Sequence, residues 1–400
     1  MNVDIAIVGA GPAGLCLARS LARTGLSVLV IEQQSLHALR EPPFDGREIA
    51  LTMRSVRILQ ELGVWQRLEP AEISPLRSAR VLNGQSRHGL HVTPSAAADS
   101  ELGFLVPNHC IRRAAYASIE HEPNITLACG VSVEGIVSND EAARLRLSDG
   151  AEISARLVVA ADSRHSRLRR DAGIAAGMHD FGKTMLVCRM ALERPHHEEA
   201  LEWFGHSQTL AALPLNGGEA SVVLTLTPRE MQRVMEMSEP DFQTEMRHRF
   251  DGRFGDMRLT STRHSYPLVG VYARRFVANR LALIGDAAVG MHPVTAHGFN
   301  LGLQGLETLG SLIARAVTNG DDIASPERLR RYQRTHRRAT WPLYAATMAV
   351  VTIYTDDRPV ARLARSALLR ASQTLPLVRQ GIAHLLASRR GPSAMGRHRS

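Results

Sequence analysis

The stretch "DIAIVGAGPAGLCLARSLARTGLSVLVIEQQ", Asp4–Gln34, decides the fold. Ile5, Ile7 and their neighbours make an apolar run of strand length that ends in Gly9-Ala10-Gly11-Pro12-Ala13-Gly14, a complete G-x-G-x-x-G. Leu15, Ala18, Leu21 and Ala22 then recur at helical spacing, and Gly25 closes the helix. "SVLVIE" reads as a second strand, with Glu32 at its end and Gln33 just beyond. A strand, a glycine turn, a helix, a second strand and a terminal acid together form the βαβ dinucleotide fingerprint. Gly9 permits the tight turn, Gly11 lets the backbone approach a pyrophosphate, and Gly14 lets the helix pack close to the strand. The helix N-terminus presents N–H groups and the positive end of its dipole to the phosphates. Glu32 is placed to accept from the ribose hydroxyls, and Ala13 and Gln33 complete the expected contacts at this end. The fingerprint does not separate NAD from FAD.

The rest of the chain narrows the choice. An NAD dehydrogenase would continue with further βαβ units; here "EPPFDGREIALTMRSVRILQELGVW" follows, read as a loop leading into a short amphipathic helix. Arg47 in that loop is either a surface arginine or the partner of a cofactor phosphate or ring. "LGFLVPNHCIRRAAYASIEHEPNITLACGVSVEGI" reads as a helix followed by a strand. Two antiparallel strands surround Ser148-Asp149-Gly150, and the second runs through "LVVAAD" as a buried edge ending at Asp162, whose plain structural role is a helix N-cap. From about 178 to 275 the pattern is mostly β, interrupted by one helix, "EPDFQTEMRHRF". "RLALIGDAA" is again a buried strand, now ending in Gly285-Asp286.

Two strand ends, at Asp162 and Asp286, thus return to the region of the first loop. A cofactor with a long second half beyond its ADP needs such distant groups. Asp286 is placed to accept from ribityl hydroxyls. Gly298-Phe299-Asn300 opens a helix whose N-terminus would stabilise negative charge on a reduced flavin ring, and Gly302 and Gly305 allow that helix to pack closely. Two glycine-rich sites for two halves of one cofactor imply FAD.

Composition sets the outer bounds. The chain has 400 residues, is 44% hydrophobic and 22% charged, and carries four widely spaced cysteines, the pattern of a globular protein with reduced thiols in the cytoplasm. No signal peptide is expected, and the longest apolar run, Leu343–Tyr354, is shorter than the roughly 20 residues of a membrane span. The net charge of +9 comes almost wholly from arginine scattered along the chain with few aromatics, which argues against nucleic acid as a partner. It leaves a solvated basic surface, or one facing anionic lipid. No ligand group lies at suitable spacing from His292 or His297, so no metal is expected.

"GAGPAG" with Glu32, "ADSRHSRLRR" and "GDAAVGMHPVTAHGFNLGLQ" together resemble the class A flavoprotein aromatic hydroxylases, in the same chain order from end to end. Within them, "DGREIAL" and "HPVTAHGFNLGLQ" are most similar to the ubiquinone-biosynthesis hydroxylases. The resemblance assigns Gly9, Gly11, Gly14 and Glu32 to ADP, Arg47 to the flavin side, and Asn108 to a cofactor contact. It assigns Asp162 to the DG motif, Gly285 and Asp286 to the GD motif, and Pro293, Gly298 and Asn300 to the flavin-ring loop. Two departures stand out. Ser163 occupies the glycine position of the DG motif, and Ala296-His297 replaces the usual Gly-Gln, which points to a sub-branch; the resemblance there is to the demethoxyubiquinol hydroxylase type. His297 is the candidate proton relay for a substrate phenol; the alternative is a spacer whose backbone alone matters.

The resemblance implies an α/β fold like that of p-hydroxybenzoate hydroxylase. A discontinuous Rossmann-like FAD-binding domain (1–75, 101–177 and 276–340) would carry an inserted β-sheet-rich substrate domain (76–100 and 178–275), C-terminal helices (341–388) and a basic tail (389–400). It implies hydroxylation of a polyprenylated phenol or benzoquinol through a flavin C4a-hydroperoxide, with O2 as co-substrate and NAD(P)H or a separate reductase as electron donor. The rival readings are a hydroxylase of another small aromatic or polyketide, and an FAD-binding structural subunit of a quinone-synthesis complex. A flavin halogenase is set aside, because Trp65, Trp203 and Trp341 are isolated. The Arg- and Leu-rich stretch 361–391 reads either as a membrane-surface or complex-docking helix at the inner face of the membrane, or as a helix packed on its own domain.

Overall fold

The computed structural model describes residues 1–84, 89–94, 101–205, 208–292 and 297–355. Pro293 of the expected flavin loop lies outside the described residues, as do 356–400, which hold most of the expected C-terminal helices and the basic tail.

The opening strand, Asn2–Val8, is the centre of a parallel sheet. Val28–Glu32 flanks it on one side and Glu152–Ala160 on the other, with Ile7 opposite both Val30 and Val159. Ile125–Cys129 continues the sheet beyond Val28–Glu32, and Leu281–Leu283 continues it beyond Glu152–Ala160. Strands buried on both faces read as near-continuous apolar runs, which is how "IAIV", "VLVI" and "LVVA" stood out in the sequence. Glu152–Ala160 is not an edge, as the sequence suggested. Its N-terminal half pairs antiparallel with Ala143–Leu147 and its C-terminal half is enclosed by parallel neighbours on both sides.

The helix Pro12–Leu21 covers one face of this sheet and packs on a second helix, Gly298–Asn319. Contact between them is close, because a Cβ on Gly310 would lie 2.8 Å from Ser20 Oγ. A long helix, Pro326–Thr355, then packs on Gly298–Asn319 and runs straight through residue 341, where the sequence suggested a boundary.

A second, nine-stranded sheet is built around the 17-residue strand Ala176–Leu192. That strand pairs with His264–Ala273 and Glu219–Leu226, and the sheet extends to Ser78–Asn83 and Leu90–Val92. Two helices cover one face, not one: Pro228–Glu236 begins at a Thr227/Glu230 capping box, and Glu239–Arg249 begins at Ser238, whose hydroxyl accepts from Asp241 N. Phe242, Met246 and Phe250 bury that face against Leu186, Cys188 and Val222. A third, small sheet corrects another expectation. Glu48–Thr52 is a strand, not a loop, antiparallel to Gly103–Pro107, which in turn pairs with Ser74–Leu76.

His336 on the long helix shows how tightly the helical layer is packed. Its ring stacks on Tyr332, and a Cβ on Gly305 would meet it at 2.8 Å. Burial pushes its pKa down to about 4, below the ~6.5 of an unfolded histidine. The unfolded chain therefore binds this proton first. The contribution to stability is complete above pH 6.5 and is lost as pH falls from 6.5 towards 4, a total of about 3 kcal/mol. The variant His336→Gln should show an unfolding free energy that falls less over that window, measured by urea titration at a series of pH values; parallel curves for the two proteins would contradict the assignment.

Candidate functional site

The C-terminal ends of the parallel strands all open on one edge, and the fingerprint residues meet there. Gly9, at φ +108°, follows the opening strand where a Cβ would strike Ala161 O at 2.4 Å. Gly14 is closer still, since a Cβ there would lie 2.0 Å from Gly9 O. Gly11, the N-cap of the first helix, differs from both: nothing lies within 4 Å of where its Cβ would be. Two glycines are thus required by protein neighbours, and the third leaves an open approach to the first-turn amides, which have no partner within their helix. That cradle fits a pyrophosphate.

Glu32 closes the loop from the second strand, accepting from Ala10 N at 2.7 Å and Gln34 N at 2.9 Å; Gln33 is exposed beside it. Arg112, which the sequence reading did not single out, donates to Gln34 Oε1 at 2.7 Å. Its guanidinium is partly desolvated, which lowers its pKa, against the opposing charges of Asp45 and Glu32. Asn108 and Arg112 stand four apart on the helix Asn108–Ala117, a one-face spacing that was visible in the sequence.

Asn108 and Arg47 are brought together by Asp45. Arg47 Nη2 and Asn108 Nδ2 donate to Asp45 Oδ2 at 2.6 and 2.7 Å, and Asn108 N donates to Arg47 O. Burial alone would raise the Asp45 carboxyl, but these bonds outweigh it and hold the group below its ordinary value. Asn300 is fixed in a similar way, by backbone. Its Oδ1 accepts from Thr52 N at 3.0 Å and its Nδ2 donates to Ala50 O at 2.8 Å, so its amide ties the helix Gly298–Asn319 to the strand after Arg47.

The two aspartates also lie on this edge. Asp162 is not the N-cap the sequence suggested: Ser166 caps the helix Arg167–Asp171 by accepting from Arg169 N, while Asp162 Oδ2 accepts from Arg167 N and its Oδ1 is buried without a partner. Asp286 is half-exposed and pairs with Arg164 at 3.3 Å. Gly285, at φ +55°, stands against the first loop, a Cβ there being 3.2 Å from Ala13 Cβ; Gly302 of the helix Gly298–Asn319 lies behind it. Gly298 begins that helix in open space, Phe299 packs on the core, and His297 is buried at the N-cap without capping through its side chain.

The contacts make a closed ring. It runs from Gly9 to Ala161 and Asp162, to Gly285 and Asp286, through the helix Gly298–Asn319 to Ala50–Thr52, to Arg47 and Asn108, and back through Arg112 and Glu32 to Ala10. The second sheet lines one side of it. Tyr266 Oη donates to Asp45 O at 2.7 Å, a Cβ on Gly46 would meet Val187 at 2.7 Å, and Phe181 packs edge-on against His292. Between these points lies an apolar wall of Met185, Val187 and Leu268 with Phe181, Val223 and Tyr266. Burial pushes His292 down to about 4, so it is neutral at physiological pH. Behind the Arg47–Asn108 pair is a polar cavity of about 150 Å³ lined by Glu48, His109, Arg189 and Asn216 among others.

A discontinuous parallel sheet with an elongated ring of glycine turns and carboxylates defines a dinucleotide-binding flavoprotein fold. The sequence matches the FAD binding domain family model over residues 2–347, and the chain belongs to that family. It is 43% identical to the ubiquinone hydroxylase UbiM of Neisseria meningitidis over 94% of this chain and 82% of that protein. It is 34% identical to the ubiquinone hydroxylase UbiL of Rhodospirillum rubrum (96% and 90% covered) and 29% to the 3-demethoxyubiquinol 3-hydroxylase of Escherichia coli (96% and 98%). Among solved structures, p-nitrophenol 4-monooxygenase PnpA of Pseudomonas putida shares the fold, with a TM-score of 0.78 at 18% identity over 98% of this chain and all of that one.

One buried cation holds two parts of the ring together. Arg169, 2% exposed, donates to Ala287 O and Arg164 O, so the Asp162 and Asp286 turns share a single guanidinium. Arg169→Met should leave two carbonyls without donors, cost about 2–4 kcal/mol in the urea unfolding transition and lower the bound flavin per chain. A variant that keeps its full flavin absorbance would show that the two turns hold their places without it.

Proposed function

We propose that this chain is an FAD-dependent monooxygenase that hydroxylates the aromatic ring of a polyprenylated phenol or benzoquinol in ubiquinone biosynthesis. The carrying observation is the ring of contacts just described, in a chain 43% identical over nearly its whole length to a ubiquinone hydroxylase. FAD would lie along the ring, with its pyrophosphate at Gly11, Ala13 and Gly14 and its ribose at Glu32 and Gln33. Its ribityl chain would lie at Asp286 and Asp162, whose buried Oδ1 wants a donor, and its ring near Gly298 and Phe299. Arg47 and Asn108 form the flanking wall, and Arg112 adds positive charge on the ADP side. Bound there, FAD supplies the redox chemistry that activates O2 and delivers one oxygen atom to the substrate ring.

The chain's own part is positioning and exclusion. The wall of Met185, Val187, Leu268 and Phe181 holds an aromatic ring by apolar contact and keeps water away. Asn300 fixes the helix N-terminus at a set distance from the strand that carries Arg47. Neutral His292 adds no charge beside the wall. His297, buried at the helix start, is the group that would hold the substrate's phenolic proton. The sequence holds no second dinucleotide fingerprint, which supports NAD(P)H as a transient donor or a separate reductase. The inserted sheet is the substrate domain on this reading, and a prenylated substrate brings the protein to a membrane surface.

Asp286→Ala should weaken FAD binding by roughly 10–100-fold, the loss of a hydrogen bond to a charged group, as titrated by flavin fluorescence. Lipid extracts of a strain lacking the gene should accumulate a prenylated precursor short of a hydroxyl, detected by mass spectrometry and cleared when the gene is restored. An unchanged quinone profile, with no second hydroxylase masking the loss, would move the assignment to a small-aromatic hydroxylase.

A further inference from the structure

The exposed face of the long helix Pro326–Thr355 is built for a partner of one charge sign. Arg330, Arg331, Arg334 and Arg338 are all exposed, and they recur at spacings that place them on one side of the helix. None of them makes a hydrogen bond or ion pair with a described residue, whereas Arg328, one turn earlier, pairs with Asp321 at 3.0 Å. Glu327 is the helix's only acid. Arg337 sits at the margin of this face, over the rings of Tyr272 and Phe276, and donates to Arg274 O, which brings the exposed Arg274 and Arg275 to the foot of the same surface.

The character of the face then changes. Trp341 follows Arg338 on the same side and is 53% exposed, with one edge against Tyr272; exposed Pro342 and Ala349 continue it. Clustered like charges at these spacings destabilise an isolated helix by a few tenths of a kcal/mol per pair, so the array gains nothing for the fold. A basic strip ending in an exposed tryptophan matches a bilayer surface: arginines meet anionic headgroups, and the indole sits at the headgroup level with its ring in the apolar boundary. No helix among the described residues is long and apolar enough to cross a membrane.

We propose that the face formed by Arg330, Arg331, Arg334, Arg338 and Trp341 docks the enzyme on an anionic lipid bilayer. The inference draws its purpose from the reading of a prenylated, membrane-held substrate, but its evidence is the helix alone.

The test uses the full chain with FAD and co-sedimentation with vesicles of phosphatidylglycerol and phosphatidylethanolamine, against vesicles of neutral phosphatidylcholine. Wild type should bind the anionic vesicles only. The triple variant Arg330→Ala/Arg334→Ala/Arg338→Ala, checked for wild-type melting and flavin content, should bind about a hundred-fold more weakly, near five-fold per arginine. Tryptophan fluorescence should shift to the blue on anionic vesicles, and the shift should vanish in Trp341→Phe. Vesicle binding unaltered in the triple variant would place the contact elsewhere in the chain, including 356–400, and overturn the proposal. So would equal binding to neutral vesicles, or retention on a random-sequence RNA oligonucleotide with none on vesicles. Turnover of a short-chain, water-soluble phenol by the triple variant should match wild type. Loss of vesicle binding with that turnover intact separates this surface from the proposed activity, and a protein that binds vesicles but turns over no phenol would count against the activity alone.

Discussion

Parallel pairing of the opening strand on both of its sides is the constraint from which the site follows. Parallel strands need crossovers, and each crossover delivers its strand to the sheet in the same direction. All their C-terminal ends therefore share one edge. The residues that follow those ends, Gly9 after the first strand, Ala161 and Asp162 after Glu152–Ala160, and Gly285 after Leu281–Leu283, are adjacent in space although far apart in sequence. The closeness is severe: the carbonyls of Gly9 and Ala161 occupy the space that side chains on Gly14 and Gly9 would need. A second glycine turn late in the chain is the price of closing that edge around a long ligand with strands drawn from the whole chain.

What was legible in the sequence was what is local. The apolar runs, the glycine turn, the helix period and the terminal Glu32 lie within one βαβ unit, and each reports its own conformation. Glu48–Thr52 gave no such report. Its alternation is weak, and it is a strand because Gly103–Pro107, beyond a long excursion, supplies the backbone partners. The two helices over the second sheet were readable in principle: Thr227-Pro228 with Glu230 is a capping box, and Ser238 with Pro240 begins the next helix. The second was legible in "EPDFQTEMRHRF"; the first, Pro228–Glu236, went unread although its capping box stands in the sequence.

The site residues divide along the same line. Gly9, Gly14 and Gly285 were found because a backbone requirement leaves a glycine in the sequence. The work of Asn300 and Arg169 was hidden, because their bonds go to main-chain carbonyls and amides contributed by distant segments. Composition misled in a related way. The arginine excess suggested a solvated basic surface, yet Arg280 is buried, with its guanidinium on the carbonyls of Asp140 and Arg156. Arginine here serves as structural glue as much as surface charge: five donors in a planar fork satisfy carbonyls that converging loops leave open.

The joint between the two large sheets shows why polar groups were kept so near an apolar wall. Arg189 from the second sheet donates twice to Glu48 Oε1, at 2.9 and 2.6 Å, while the Glu48 side chain is fully buried and its carboxyl is pushed up by that burial. Two apolar side chains of similar size would avoid the desolvation penalty, so the pair is poorly explained as a source of stability. It does fix geometry. Two donors of one planar guanidinium converging on a single oxygen tolerate little sliding, the other oxygen, Oε2, being buried without a partner, and Arg189 shares its strand and its face with Val187, which touches Gly46. Registering Arg189 on Glu48 therefore registers the apolar wall on the residue beside Arg47. A slip of the second sheet by one residue would turn Val187 and Met185 away from the loop at Gly46 and strand a buried carboxylate without its cation. The ion pair makes that alternative expensive, and so fixes the apolar wall against the loop that carries Arg47.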